Sequence, residues 1–490
     1  MSRRLPILAL TAALALTACG GDGALPTVTV PPTTTTPPQG TTTTSAGTTV
    51  TSPTTAPGGI GSAGIGDPYF PELGNGGFDV EHYLIETTVD PDTGIITEGS
   101  TTITAVAITD LAGFHLDFRS LEIIGLEVDG ATTSYEARQP NLLVTPASAI
   151  AAGEEFVVTV RYRGRPAPTI LPGLDLAAGW MLNAEGVYVV AEPDGAHTWF
   201  PSSDHPTDKA LFTIVTTVPD PFVVASNGTL VAETHDGGMT TFTWEMDYPM
   251  ATYLATIVVA ELERIDSQPV DGVAIRDYLP TDLADELPRV FQRTGEWLTF
   301  LETWFGEYPF DSYGHVVVSG FGAALENQTM TVMDRRSMSD VVVVHELAHQ
   351  WFGNSVSLAT WQDIWLNEGF ATFAEFIWIE HELGQDAMEN EITSRHEILS
   401  SREHRPIADP GVADLFGLAV YWRGGLTLHA LRVEVGDDIM RQILMTYASR
   451  FGGGHASTAD FIALAEEVAG RDLGDLFDAW LFQTELPPLP

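Results

Sequence analysis

The apolar residues change their period near Pro280, and that change limits the fold of this chain more than any other feature. Between about Phe78 and Arg264 the sequence runs in short alternating or β-branched segments, separated by Asp-Gly, Gly-Gly and proline-containing turns. A period of two with such punctuation marks strands whose alternate side chains face a core. The clearest are Thr101 to Ile108, Phe114 to Phe118, Phe156 to Tyr162, Ala210 to Val218, Thr240 to Met246 and Tyr253 to Ala260. After Pro280 the pattern becomes helical over Leu283 to Phe305, Ser339 to Phe352, Asp363 to Leu383, a segment after Gly424, and Thr458 to Leu481, with one strand, His315 to Ser319, among them. The chain is therefore predicted to be multidomain α+β, with an antiparallel β-sheet domain over residues 65–265 and a mostly helical domain over residues 266–490.

Residues 1–64 follow other rules. Arg3 and Arg4 precede an apolar run, Leu5 to Leu16, that is too short to span a bilayer and is followed by small residues, the layout of an export signal. Leu16-Thr17-Ala18-Cys19 resembles a bacterial lipoprotein box. That resemblance implies a signal peptide over residues 1–18, a lipid on Cys19, and an extracytoplasmic protein anchored to a membrane. The stretch that follows, to residue 64, is rich in Thr, Pro, Gly and Ser, with four-threonine runs at Thr33 to Thr36 and Thr41 to Thr44. Such a composition cannot bury a core and reads as a disordered, semi-extended stalk.

Cys19 is the single cysteine, which excludes a disulfide framework and any metal site built of several thiolates. Metal chemistry in this chain must use histidine and carboxylates. Acidic residues number 66 against 22 basic ones, for a formal charge of -44, and Lys209 is the one lysine. That surface is heavily hydrated and is a poor partner for nucleic acid.

The chemistry concentrates in His345-Glu346-Leu347-Ala348-His349. Histidines at i and i+4 share a helix face, so both imidazoles reach one zinc ion while Glu346 projects toward water on that ion. Glu368, 18 intervening residues further on in Trp365-Leu366-Asn367-Glu368-Gly369-Phe370-Ala371, supplies a third donor from a second helical segment. Two histidines and a glutamate leave the fourth position open, which is the pattern of catalytic zinc. Glu375 lies two helical turns beyond Glu368, on the same face, where it is placed to hydrogen-bond the free nitrogen of a ligand histidine. His82, His115, His205 and His429 have no partner at metal spacing, and Trp361, Trp365, Met330 and Met333 read as core.

The two motifs at this spacing resemble the aminopeptidase N family of gluzincin zinc metallopeptidases, which includes leukotriene hydrolase. The likeness covers about 410 residues from Asp79-Val80-Glu81-His82-Tyr83 onward. It implies a saddle-like β domain before a thermolysin-like catalytic domain, one zinc ion per chain, and hydrolysis of the N-terminal bond of peptides with a free α-amino group. Ala323-Ala324-Leu325-Glu326-Asn327 resembles the family's Gly-x-Met-Glu-Asn signature, with alanine for glycine and leucine for methionine. In that family the glutamate binds the substrate amine, so Glu326 takes that role and Ala323 to Leu325 pair with the substrate backbone. Tyr421-Trp422-Arg423-Gly424 resembles Tyr-x-Lys-Gly, with arginine for lysine, which makes Tyr421 the stabiliser of the oxyanion. Glu192, ahead of Trp199-Phe200-Pro201, matches more loosely a segment that joins the amine site. The chain ends soon after Leu481, without the large C-terminal helical domain of longer members, and a more open cleft for longer peptides is expected. Two alternatives stay open: a zinc endopeptidase of thermolysin type, and a surface peptide-binding protein without catalysis.

Overall fold

A computed structural model describes residues 58–171 and 177–490, which belong to one compact unit. The export signal, Cys19 and the stalk up to residue 57 lie outside the described residues. Ordered pairing begins earlier than residue 65, because Gly59–Ile60 runs parallel to the strand Leu111–Asp117. The glycines there carry no strand signal of their own and are recruited by the edge they meet.

The first half is built around an eight-stranded sheet. Its order is Thr229–Asp236, Met239–Met250, Ala210–Pro219, Phe78–Asp90, Ile95–Ala107, Glu155–Gly164, Glu122–Val128 and Ala131–Thr132. All neighbours are antiparallel except Ala210–Pro219 and Phe78–Asp90, which run parallel with Thr213 opposite Leu84. Burial alternates along Phe78–Asp90 and Ala210–Pro219, so one face is wet and the other packs inward. The buried face meets a four-stranded sheet through Phe78, Phe114 and Phe156, and meets Phe200 through Tyr83 and Phe212. A further five-stranded sheet includes Gly186–Val190 and Ile257–Ala260, both buried on both faces. The expected strand Tyr253 to Ala260 is thus shortened. Thr252–Leu254 forms a 3₁₀ turn, and the amide of Thr256 is taken by the buried Asn227 side chain at 2.8 Å.

The second half holds more sheet than the sequence announces. Its five strands are ordered Leu262–Asp266, Ala274–Pro280, Ser312–Val318, Thr331–Asp334 and Ala324–Leu325, the last at an edge. Eight α-helices follow or interrupt it: α1 (Thr294–Phe305), α2 (Asp340–Ala348), α3 (Trp365–Leu383), α4 (Gln385–Ser400), α5 (Leu418–Val435), α6 (Asp437–Phe451), α7 (Thr458–Ala469) and α8 (Gly474–Phe477). The first begins at Thr294 rather than Leu283, because Pro288 bars its predecessor from helical geometry. The last expected helix breaks at Gly470, which takes φ 67° as a left-handed cap after α7. Helix α5 starts six residues before Gly424, so Tyr421 is helical. The sequence reading missed α4 because its buried stripe is only Met388, Ile392, Arg395 and Leu399. No helix among the described residues is long and apolar enough to cross a membrane.

Candidate active site

Helix α2 is rich in β-branched valines, which are mediocre helix formers, and two things hold it in shape. The side chain of Ser339 caps its first turn, accepting from Val342 N, and Val343, Val344, Leu347 and Ala348 are packed into the core. That burial directs His345 and His349 toward the first turn of α3, which carries Glu368. His345 Nε2 lies 3.3 Å from Glu368 Oε2, and His349 Nε2 lies 3.5 Å from the same oxygen.

These separations test whether the three groups suit a metal. Donors bound at the usual zinc distances to one tetrahedral ion stand about 3.3 to 3.4 Å apart. The remaining ring nitrogens agree. His349 Nδ1 is 3.1 Å from the Phe352 carbonyl, which can only accept, and His345 Nδ1 is 2.7 Å from Glu375 Oε1. Both Nδ1 atoms therefore act as donors, and each Nε2 faces the Glu368 oxygen, where a metal ion would take the place of its proton. Two imidazole nitrogens converging on one carboxylate oxygen at these separations fit a divalent cation held between them. Burial opposes charge at His349, yet Glu326 and Glu368 outweigh it and push this imidazole up to about 9. Glu368, also buried, is held down at about 2, chiefly by His349. Behind the donors, Glu375 Oε2 accepts from Arg395 Nη2 at 2.6 Å, so an arginine of α4 braces the carboxylate that orients His345.

A second group of carboxylates adjoins the first. Ligand oxygens of Glu192, Glu326 and Glu368 all lie within 4.8 Å of one another, so Glu368 belongs to both clusters. Glu192 follows the strand Gly186–Val190 of the β domain, whereas Glu326 directly follows the edge strand Ala324–Leu325. Glu192 Oε1, Glu326 Oε1 and Glu346 Oε2 are buried without a hydrogen-bond partner. Burial, with the neighbouring Glu326, Glu368 and Glu346 charges, pushes Glu192 well above the usual carboxylate range. Burial pushes Glu346 up to about 8, and a divalent cation at the donors would pull it back down. Buried carboxylates without hydrogen-bond donors are a receptor for a cation, whose charge would favour their ionised forms.

Tyr421 lies over His345, with ring centroids 5.9 Å apart and planes 17° from parallel. Burial and the nearby Glu368, Glu192, Glu326 and Glu346 raise its pKa well above 10, so the hydroxyl remains a donor. Arg423, on the same helix, is fully buried and donates to the carbonyls of Ala479, Trp480, Gln483, Thr484 and Glu485. Ala324 and Leu325 pair antiparallel with Met333 and Val332, and the carbonyl of Ala323 accepts from Asp334 N at 2.9 Å. Of the other histidines, His115, His205 and His82 bond to Gly61 O, Asp67 with Thr207, and Thr213 respectively. Sequence reasoning missed Arg395, Gln350 and Asn354. Only Gln350 had a local hint, its place directly after the second histidine.

Donors that fit one divalent cation, with an adjacent unpaired carboxylate and a phenol above them, set between a β-sheet domain and a helical one, are the parts expected of a metal-dependent hydrolase. Residues 80–254 match the Peptidase M1 N-terminal domain, and residues 290–480 match the Peptidase family M1 domain. The solved M1 zinc metallopeptidase of Deinococcus radiodurans is 33% identical over 87% of this chain and 98% of its own, with a TM-score of 0.82. A mutant of that protein was solved with a Tyr-Ser-Ala substrate. Among curated relatives, Aminopeptidase M1-C of Oryza sativa subsp. japonica is 29% identical over 60% of this chain, and Glutamyl aminopeptidase of Homo sapiens 26% over 61%. The matches span only 36% and 34% of the length of those two relatives. The chain belongs to peptidase family M1, and its cofactor is one zinc ion.

Proposed function

We propose that this protein is a zinc aminopeptidase that removes the first residue from peptides with a free α-amino group. The observation that carries the reading is the sharing of Glu368 by the metal donors and the carboxylate cluster, with ligand oxygens within 4.8 Å of one another. In an amino acid the α-nitrogen and its own carbonyl carbon are about 2.5 Å apart, while each further residue adds about 3.3 to 3.6 Å. An ammonium held by Glu326 and Glu192 therefore leaves room for one residue before the metal donors.

His345, His349 and Glu368 would hold the zinc, which when bound supplies Lewis-acid polarisation and acidifies water. Glu346 takes the proton from the attacking water at its free oxygen and hands it to the leaving amine. The Tyr421 hydroxyl donates to the oxygen on which negative charge develops. Ala323 to Leu325, at a sheet edge, pair with the substrate backbone and fix its direction. The aminopeptidase names of the curated relatives and the tripeptide bound by the Deinococcus protein support the same reading. We further infer that Cys19 is lipidated and tethers the enzyme on the extracytoplasmic side of a membrane, which mass spectrometry of the mature N-terminus tests. For the activity, matched free and N-acetylated peptides are followed by mass spectrometry. Stepwise loss of single residues from the free form alone is expected, and Glu326→Ala should cost that reaction about 2 kcal/mol or more in kcat/KM. Internal cleavage of both forms at similar rates would make the protein an endopeptidase.

A further inference from the structure

The exopeptidase reading needs a fixed gap between the amine-binding carboxylate and the metal donors, and the fold contains a device that sets it. The chain leaves α2 in an unusual way. After His349 it closes three successive i to i−5 bonds: Asn354 N to His349 O at 3.0 Å, Ser355 N to Gln350 O at 3.1 Å, and Val356 N to Trp351 O at 3.0 Å. Wide turns of this kind are uncommon and gather at functional sites. This one turns two amide side chains toward the same target. Gln350 Nε2 donates to the main-chain carbonyl of Glu326 at 3.1 Å, and Asn354 Nδ2 donates to it at 2.7 Å. Both side chains are completely buried, in a place where unneeded amides are costly.

The loop that carries Glu326 is held against this turn at a second point. Gln350 Oε1 accepts from Thr329 N at 2.8 Å. Thr329 has φ 64°, a left-handed conformation that a β-branched residue rarely adopts and that persists only when its surroundings enforce it. The β domain holds the turn from the other side, since Lys209 Nζ donates to Asn354 O at 2.7 Å and to Ser355 O at 2.9 Å.

We propose that Gln350 and Asn354 are positioning residues that set the cleavage register, by tying the backbone of Glu326 to the same turn that begins at the metal ligand His349. The inference rests on the aminopeptidase reading and adds to it what keeps the amine site one residue from the metal. Asn327 Nδ2 on Leu254 O and Asn227 Nδ2 on Gln328 O also tie the loop to the β domain, but those bonds leave the Glu326 carbonyl free to shift against the metal donors. Two hydrogen bonds from the ligand's own turn remove that freedom, and a misplacement of about 1 Å is enough to cost roughly 10²-fold in rate.

The test uses zinc-loaded Asn354→Leu, Gln350→Met and the double variant. Each single change leaves the other bond to Glu326 in place, which protects folding. Expected are one zinc per chain, a kcat on free peptides lowered about 10-fold or more in each single variant and further in the double, and dipeptides appearing among the products. Calorimetric affinity for L-leucine, which is not turned over, should fall about 10-fold, while the weaker binding of N-acetyl-L-leucine stays as in wild type. Zinc-loaded variants that keep wild-type kcat, single-residue products and L-leucine affinity would overturn the proposal. So would a uniform loss across free and acetylated ligands, which marks general damage. Should the wild-type enzyme itself cleave free and acetylated peptides alike, the aminopeptidase reading has failed, and that result is distinct from a failure of the ruler.

Discussion

Gly369 and Gly424 bring α3 and α5 into backbone contact: a Cβ built on Gly424 would lie 2.7 Å from Gly369 Cα. Glu368 precedes the first glycine and Tyr421 lies one turn before the second, so this crossing sets how closely the phenol approaches the metal donors. Each glycine costs about 1 kcal/mol of helix propensity against alanine, and the close approach explains why it is kept.

Gly424→Ala should therefore push the helices apart, destabilising the fold by about 1 to 3 kcal/mol as an overpacked contact and lowering kcat more than it raises KM. Tyr421→Phe removes the hydroxyl without touching the crossing and should lower kcat by about 10² to 10³ with an unchanged Tm. Thermal unfolding alongside steady-state kinetics separates the two. A Gly424→Ala enzyme with wild-type kcat would show that the crossing does not position the tyrosine.

Glu346→Gln should retain one zinc per chain and lose turnover by about 10² to 10⁴, because the amide keeps the shape of the side chain but cannot take a proton. Elemental analysis and single-turnover assays on the same sample check both halves. Loss of the metal in this variant would place Glu346 among the ligands instead.

Arg395 reaches the metal site only through Glu375 and His345. Arg395→Met leaves Glu375 buried without its cation, weakens the hydrogen bond that orients His345, and is expected to lower zinc affinity by about 10-fold. Competition with a chelator measures this directly. Activity at saturating zinc should recover much of its wild-type value, an outcome that a collapsed site would not give.

What could be read from the sequence, and what could not, follows from how each part is assembled. His345, Glu346 and His349 lie within one helix, so their spacing alone projects them to one side. Glu326 and Glu192 came from family likeness only, because they meet across a sheet edge and a loop from different domains. Arg395 gave no sign, since its partner Glu375 stands 20 residues away on another helix. The fold divides in the same way. The alternation of Ala210–Pro219 reports one wet face, whereas Thr331–Asp334 is buried throughout and has no period to detect, and of Ser312–Val318, also buried throughout, the sequence announced only the part from His315 onward. Ala324–Leu325 is too short to carry a pattern at all, although it holds the residue next to Glu326.

Lys209 gives a pH dependence whose sign is fixed by its surroundings. Lys209 is half-buried at the join between the β domain and the turn after α2, and its ammonium donates to Asn354 O, Ser355 O and Gly454 O at 2.7, 2.9 and 3.4 Å. Burial pushes its pKa down to about 7, whereas in the unfolded chain it titrates near about 10.4. Between these values the unfolded chain binds more protons than the folded one, so the contribution of this group to stability rises with pH through that window. Below about 7 both states are protonated, and the cost of the buried charge is carried in full. Lys209→Met lacks the titration and exposes the slope by difference. Urea midpoints of the two proteins between pH 7 and pH 10 should shift in favour of wild type as pH rises. A flat difference would mean that the three carbonyls hold the ammonium charged across the range, with hydrogen bonding outweighing desolvation.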